Sequence, residues 1–238
     1  MESFKTTAII LAAGMGTRMG SRIPKQFLEL DGYPVLYYSL KTFEDSFIDE
    51  IIIVSRKEDI EYVQNNIVKE YGFLKVVKIT EGGEQRADSV YNGLKCVDNC
   101  NYVFIHDGAR PFVDSKILER VYEEVKKYKA CVVGMPVKDT IKICDDNNYS
   151  VITPDRNRLW QIQTPQVFEY KLIKEAYDKL QEKSDVIVTD DASVVELFCE
   201  DKVKLVQGSY NNIKLTTPID LLFVEEIIKN NKKSQNIY

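Results

Sequence analysis

Short, uninterrupted apolar runs punctuate the chain at Ala8 to Ala13, Ile51-Ile52-Ile53-Val54, Tyr102-Val103-Phe104-Ile105 and Ala130 to Pro136. Weaker ones stand at Lys75 to Ile79 and Lys204 to Gln207. Runs of this length, without polar alternation, suit strands covered on both faces, as in a parallel sheet. The intervening segments follow a different period. Val35, Leu36, Ser39, Leu40 and Phe43 fall on one side of a helix over Pro34 to Phe43. Glu58 to Tyr71 and Ala87 to Cys96 are also helical, and Ile117, Leu118, Val121, Tyr122 and Val125 line one face of a helix capped by Ser115. Another helix begins at Thr189-Asp190-Asp191, where carboxylates suit the dipole, and the last has Thr217 as cap and Pro218 at its first position. The alternation predicts an α/β fold with a mostly parallel, twisted sheet and crossover helices. No repeat or linker divides residues 1–238, so one domain is expected.

The rhythm breaks after Lys138. Two short β-prone segments, Asp139 to Cys144 and Tyr149 to Thr153, flank the turn-rich Asp145-Asp146-Asn147-Asn148. This predicts a projecting β-hairpin arm over about 138–160. A lone hairpin has too little core of its own, so a second copy of the chain is its expected support, and a homodimer follows. Gln163-Thr164-Pro165-Gln166 is expected to lead into the next helix. Asn211 to Leu215 is expected to form a short strand that aims Lys214 into a site.

Composition narrows the function. The 238 residues are 44% hydrophobic and 29% charged with net charge −5, a globular balance that argues against a general nucleic-acid binder. No apolar run is long enough to span a membrane and the first residues lack a leader pattern, so a cytoplasmic protein is expected. Cys96, Cys100, Cys131, Cys144 and Cys199 contain no C-x-x-C pair, and the single histidine, His106, leaves neither a zinc set nor a serine-type triad.

The chemistry gathers where apolar runs end. After Ala12-Ala13 come Gly14, Gly16 and Gly20, with Arg18, Arg22 and Lys25 among and after them. Glycines directly behind a buried strand let backbone N–H groups approach a ligand, and the cations make that ligand a polyphosphate. The spacing fits neither a Walker loop nor a dinucleotide fingerprint. Gly82-Gly83-Glu84 is a second loop, with Ser89 in the helix behind it. Asp107, at a strand tip beside Gly108, is placed either to hold a phosphate-bridging Mg²⁺ or to cap the turn before Pro111. Arg110 is either a phosphate clamp or the partner of a buried carboxylate. Thr140, Arg156, Arg158 and Thr164 at the root of the arm are either a second phosphate site or solvated surface.

Leu11-Ala12-Ala13-Gly14-x-Gly16-x-Arg18-Met19-Gly20 with Pro24-Lys25-Gln26 resembles the sugar-nucleotidyltransferase signature. The further set Gly82-Gly83-x-x-Arg86-x-Asp88-Ser89, His106-Asp107-x-Ala109-Arg110-Pro111, Asp139-Thr140-Ile141-Lys142, Asp155-Arg156-Asn157-x-Leu159-Trp160, Thr164-Pro165-Gln166 and Asn212-Ile213-Lys214-x-Thr216-x-Pro218 resembles the 2-C-methyl-D-erythritol 4-phosphate cytidylyltransferase family over nearly the whole chain. That resemblance implies a Rossmann-like three-layer nucleotidyltransferase sandwich. The reaction it implies uses CTP, a polyol phosphate and Mg²⁺, in a homodimer with swapped arms. Arg18, Lys25 and Lys214 would be the cations on the CTP phosphates. Ala12, Ala13, Gly14, Gly16, Gly82, Glu84, Ser89, Asp107 and Gly108 would form the nucleotide site, with Asp107 also the metal ligand. Thr140, Arg156 and Thr164 would hold the acceptor phosphate, the first two from the partner subunit. Gly108 departs from the alanine usual there, which implies a looser loop. The alternatives are a ribitol 5-phosphate cytidylyltransferase and a nucleotide-binding module without turnover. The enzyme reading requires Lys25, Lys214 and Asp107 to surround one pocket.

Overall fold

The computed structural model describes residues 4–16, 20, 23–183 and 185–235, with side chains through residue 228. Arg18 and Arg22 lie outside the described residues. β1 (Thr6–Ala12) runs into the first glycine loop, a single helical turn at Lys25–Phe27, and the small ladder of β2 (Glu29–Leu30) with β3 (Tyr33–Pro34). Then come α1 (Val35–Glu44), β4 (Glu50–Ser55), and α2 (Ile60–Val63), which continues as a wider π-wound turn at Gln64–Lys69. β5 (Val76–Glu81), α3 (Arg86–Leu94), β6 (Tyr102–Asp107), α4 (Ser115–Tyr128) and β7 (Ala130–Pro136) follow. β8 (Ile143–Cys144) and β9 (Ser150–Ile152) make the arm. β10 (Trp160–Glu169), α5 (Tyr170–Gln181), α6 (Asp191–Phe198), β11 (Lys204–Gln207) and α7 (Pro218–Gln235) complete the order.

Seven strands form one sheet in the order β11-β7-β10-β6-β1-β4-β5, parallel except for β10, which runs antiparallel between β6 and β7. Alternate residues of β1 feed two apolar layers. Ala8 and Ile10 pack with Leu36, Leu40 and Phe43 of α1 and with Ile117, Leu118 and Val121 of α4. Ile9 packs with Val90 and Leu94 of α3 and with the inner faces of α5 and α6. Helices therefore cover both faces, which is why the strands read as continuous apolar runs. A third cluster seats α7, through Val224 and Ile228, against Leu30, Val35 and Leu215.

Three local expectations are corrected. Gln163 to Gln166 lies inside β10, not before a helix. The stretch 211–215 forms no strand; side-chain and loop hydrogen bonds hold it instead of a ladder. Asp114, not Ser115, caps α4 by accepting from Ile117 N at 2.8 Å. At α7 Thr217 and Pro218 stand where expected, as cap and first residue, and Asp220 Oδ2 accepts from the backbone N–H and hydroxyl of both Thr216 and Thr217.

Gly93 marks where α3 lies closest to the sheet. A Cβ there would stand 2.7 Å from Ile9 Cγ2 and 3.1 Å from Val54 Cγ2. Both neighbours are β-branched and fully buried, so neither side chain turns away freely. Alanine gains about 1 kcal/mol in helix propensity. The overlap costs about 1–3 kcal/mol. Gly93→Ala is therefore expected to be net destabilising, by about 1 kcal/mol, seen as a lower urea midpoint at unchanged slope.

Candidate active site

β6, β1 and β4 are neighbours in register, Leu11 opposite Asp107 and Ala12 opposite Ser55, so their carboxyl ends open onto one crevice. Two chambers occupy it. The first is walled by Ala12, Ala13 and Gly14 of the glycine loop, by Glu84 and Ser89 from the second loop and its helix, and by Lys25, Asp107 and Lys214. The second, of about 310 Å³, lies between Arg110, Gln163, Thr164, Thr189 and Asp190. Arg86, Asp107 and Lys214 line both, so a shared wall of three charged side chains separates two compartments.

Asp107 organises that wall. Its Oδ2 is 2.7 Å from Lys214 Nζ and 3.8 Å from Arg110 Nε, and its Oδ1 is 3.3 Å from Arg86 Nε. Burial alone would raise its pKa, but Arg86, Lys214 and Arg110 outweigh that and hold the carboxyl well below the usual carboxylate range. Arg86 is itself fixed from behind. Its Nη1 and Nη2 donate to the two oxygens of Asp191 at 2.9 and 2.8 Å, and Tyr177 OH donates to Asp191 Oδ1 at 2.6 Å. Burial opposes the Arg86 charge, yet Asp191 and Asp107 prevail and raise its pKa further. Asp191, fully buried, is thus more than a helix-dipole residue: it is the counter-ion that aims Arg86.

A second brace fixes the backbone of the Asp107 turn. Asp107 N donates to Thr164 Oγ1 (3.1 Å), the Thr164 hydroxyl donates to His106 Nδ1 (3.0 Å), and His106 Nε2 donates to Arg110 O (3.3 Å). This chain of donors assigns the neutral Nε2–H tautomer. Burial, aided by the charges of Arg110 and Lys214, pushes the His106 pKa down to about 3.

Most of the expected site is assembled, with Lys25, Lys214 and Asp107 on one pocket as required. Lys25 Nζ donates to Leu215 O at 2.8 Å, which brings it to the segment carrying Lys214. Gly16, at φ +64°, packs over the Lys25 stem: a Cβ there would lie 3.1 Å from Lys25 Cγ. Among the second-loop glycines, Gly83 and not Gly82 lines the first chamber. Gly82 instead packs so closely that a Cβ would meet Ala13 Cβ at 2.5 Å. Gly108 lines neither chamber, and its neighbour Ala109 takes that place. The loosening expected there is also absent, because Leu36 Cδ1 occupies the space an alanine methyl would fill, 2.7 Å from its position. Arg110 pairs with the buried carboxylate of Asp107, the second of its two readings, and also walls the second chamber. Thr164 reaches the second chamber, with its hydroxyl engaged by His106 and Asp107 N. Thr140 and Arg156 line neither chamber of their own chain, and Arg156 Nη1 donates to Lys138 O at 3.0 Å. Among the described residues no group of three or more His, Cys, Asp or Glu converges on a metal site.

The residues missed from sequence are those whose partners are remote. Gln26 is buried and donates to Ala12 O at 2.6 Å, which shapes the glycine loop from beneath. Gln163, Thr189 and Asp190 enter through the antiparallel placement of β10, for which local spacing gives no signal.

The family model for 2-C-methyl-D-erythritol 4-phosphate cytidylyltransferase (IspD) matches residues 6–230. The chain belongs to this family. The member so named from Lachnospira eligens is 54% identical over 217 residues, covering 90% of this chain and 95% of that protein. The one from Lachnoclostridium phytofermentans is 48% identical over 225 residues, covering 94% and 97%. Among solved structures, a 4-diphosphocytidyl-2C-methyl-D-erythritol synthase from Anaerococcus prevotii superposes with TM-score 0.84 at 37% identity, covering 95% of this chain and 96% of that one. The Thermus thermophilus family member superposes with TM-score 0.77 at 29% identity, covering 94% and 99%. The α/β nucleotidyltransferase fold expected from the sequence is thus the fold of the family.

His106 gives this family member a measurable acid sensitivity. Its folded pKa is lowered, so between about pH 6.5 and about 3 the unfolded chain binds a proton that the folded chain refuses, and stability falls as pH falls. The expected slope is about 1.4 kcal/mol per pH unit below pH 6. Asp107 adds a loss in the same direction, confined to pH below about 4, where an unfolded aspartate gains its proton. Urea denaturation at pH 6.5, 5.5 and 4.5 should show the slope, and His106→Gln should flatten it.

Proposed function

We infer that this chain transfers the cytidylyl group of CTP to 2-C-methyl-D-erythritol 4-phosphate, giving 4-diphosphocytidyl-2-C-methyl-D-erythritol and pyrophosphate for isoprenoid synthesis. The observation that carries the reading is the pair of chambers joined at Arg86, Asp107 and Lys214, in a chain of this family. One chamber takes the triphosphate nucleotide and the other the smaller polyol phosphate. An acceptor phosphate oxygen attacks the α-phosphorus, the bond to the pyrophosphate oxygen breaks, and no proton need be removed from the nucleophile. This agrees with a lone histidine that is buried and neutral. Catalysis then rests on positioning two anions and holding charge at a five-coordinate phosphorus. Lys25 and Lys214 supply the fixed positive charge on the triphosphate side, with Arg18 of the glycine loop assigned to the same task by resemblance.

The donor set suits a nucleotide-borne Mg²⁺, which enzymes hold through one or two carboxylates plus phosphate oxygens. Asp107, ionised and on both chambers, is the residue that would hold it. When bound, the ion neutralises charge on the phosphate oxygens. We also propose a homodimer through the arm. Supporting it, Ile143, Val151 and Ile152 of the two-stranded arm are all more than half exposed, an apolar surface left uncovered among the described residues. Cytoplasmic placement is supported by five cysteines that form no disulfide, Cys144 being exposed.

Pyrophosphate release with CTP, Mg²⁺ and each acceptor in turn tests the reaction. Turnover with methylerythritol phosphate is expected, and turnover with ribitol 5-phosphate alone would overturn it. Lys25→Ala is expected to lower kcat by roughly 10²–10³, and a loss under about fivefold rejects Lys25 as a transition-state contact. Mixing tests the arm. If Arg156 serves the partner's site, refolding inactive Arg156→Ala with inactive Lys25→Ala restores one intact site per heterodimer, about a quarter of wild-type activity. If Arg156 serves its own site, the mixture stays inactive.

A further inference from the structure

The segment that carries Lys214 belongs to no strand or helix, so something other than a ladder must fix it. Its first anchor is Asn212, whose side chain is fully buried. Asn212 Nδ2 donates to Thr164 O at 2.9 Å and to Gln163 Oε1 at 3.3 Å, while its own carbonyl accepts from Arg110 Nη1 at 2.8 Å. Asn212 Oδ1, by contrast, is buried without a hydrogen-bond partner. A buried amide that leaves its oxygen unmet is held for its donors, because the flipped amide would set that oxygen against two acceptors. Further along, Leu215 N donates to Ala109 O at 2.9 Å, Leu215 O receives Lys25 Nζ, and Asp220 gathers the backbone of Thr216 and Thr217. Asn212 thus ties the Lys214 segment to β10 and to the Asp107–Arg110 turn at its near end, and Asp220 ties it to α7 at its far end.

We propose that Asn212 is a positioning residue for catalysis: it sets Lys214 against the α-phosphate and, through Leu215 O, keeps Lys25 in step with it. The proposal rests on the reading of Lys214 as a phosphate cation. It assigns work to a side chain that faces neither substrate.

The test is a kinetic cycle on the full-length enzyme with CTP, Mg²⁺ and methylerythritol phosphate. Asn212→Asp keeps the shape and replaces the donor by an acceptor. It is expected to lower kcat about 50-fold with the KM for CTP changed less than about threefold, since a displacement near 1 Å costs on the order of 10²-fold. In a Lys214→Ala background the same change should cost less than about tenfold, because the group it positions is already gone. A merely structural defect reduces the active fraction equally in both backgrounds. An equal loss in both, or a loss confined to KM, overturns the proposal. If Lys214→Ala alone loses less than about fivefold, the reading of Lys214 fails and the proposal with it. A large Lys214→Ala loss with an equal Asn212→Asp loss in both backgrounds rejects the positioning role only. Should circular dichroism show that Asn212→Asp does not fold, Asp220→Asn is read in the same two backgrounds. A kcat loss that shrinks without Lys214 supports the strapped segment, and an equal loss rejects it.

Discussion

The structure turns on a single buried carboxylate. Asp107 sits at the tip of β6 with only 7% of its surface exposed, and an isolated charge in that position would cost several kcal/mol. It remains ionised because Lys214, Arg86 and Arg110 converge on it. Lys214 comes from the loop before α7, Arg86 from the start of α3 and Arg110 from the turn after β6. Only Arg110 is a sequence neighbour of Asp107; Arg86 and Lys214 reach it across the fold. The carboxylate is therefore both a counter-ion and the assembly point of the wall between two chambers. Around that wall Arg86, Arg110 and Lys214 are drawn together by Asp107 and Asp191, while Asp190 lines the second chamber, so cations and carboxylates interleave there.

The antiparallel strand β10 makes the convergence stiff. Thr164 receives Asp107 N and donates to His106, so the turn and the sheet share one set of hydrogen bonds. Two residues on, Gln166 Nε2 donates to Asp190 Oδ2 at 2.9 Å while Gln166 Oε1 accepts from Ala192 N at 2.9 Å. That clamps the start of α6, which in turn presents Asp191 to Arg86. A parallel strand in this slot would need a long crossover and would deliver its carboxyl end to the same crevice. The reversed strand instead passes its middle beside the strand tip, where Gln163, Thr164 and Gln166 can reach three different elements.

What the sequence discloses is the part set by burial period. The five inward positions of α1 and the limits of β7 coincide with the pattern, because β7 is buried on both faces and the helix has one inward side; the limits of β11 also coincide, although only Val206 of that edge strand is buried. Asp107 was legible because a charge that closes an apolar run falls at a strand end, whereas Lys25 was read from the cations after the glycine loop and Lys214 from a strand that does not form. Two stretches were not legible. Pro165 and three glutamines disguise β10 as a connection, although its register shift between Ile162 and Gln166 accommodates them. Asn211 to Leu215 has strand-like letters, but Arg110, Thr164 and Ala109 supply its hydrogen bonds, so no ladder forms. Gly82 and Gly83 look alike on paper. Both are tightly packed, Gly82 against Ala13 and Gly83 against Asp88, and only the fold tells that Gly83 is the one on the first chamber.

Gly108 shows how a missing methyl can be replaced from elsewhere in the chain. Its backbone does not lie in the left-handed region, so the position does not need glycine for its conformation. What it lacks is room. A Cβ would meet Leu36 Cδ1 at 2.7 Å and Leu11 O at 3.1 Å, and Leu36 is fully buried in the layer beneath β1. The turn stays tied, with Gly108 N donating to Leu11 O at 2.9 Å and Ser39 beneath it donating to Arg110 O. The volume that alanine would contribute at 108 is contributed here by leucine at 36. In a core packed to crystal density such an exchange is close to neutral, whereas either residue changed alone leaves an overlap or a void. The packing beneath the turn that carries Asp107 is therefore set by the combined volume at 36 and 108, while its ion pairs and hydrogen bonds hold the carboxylate in place.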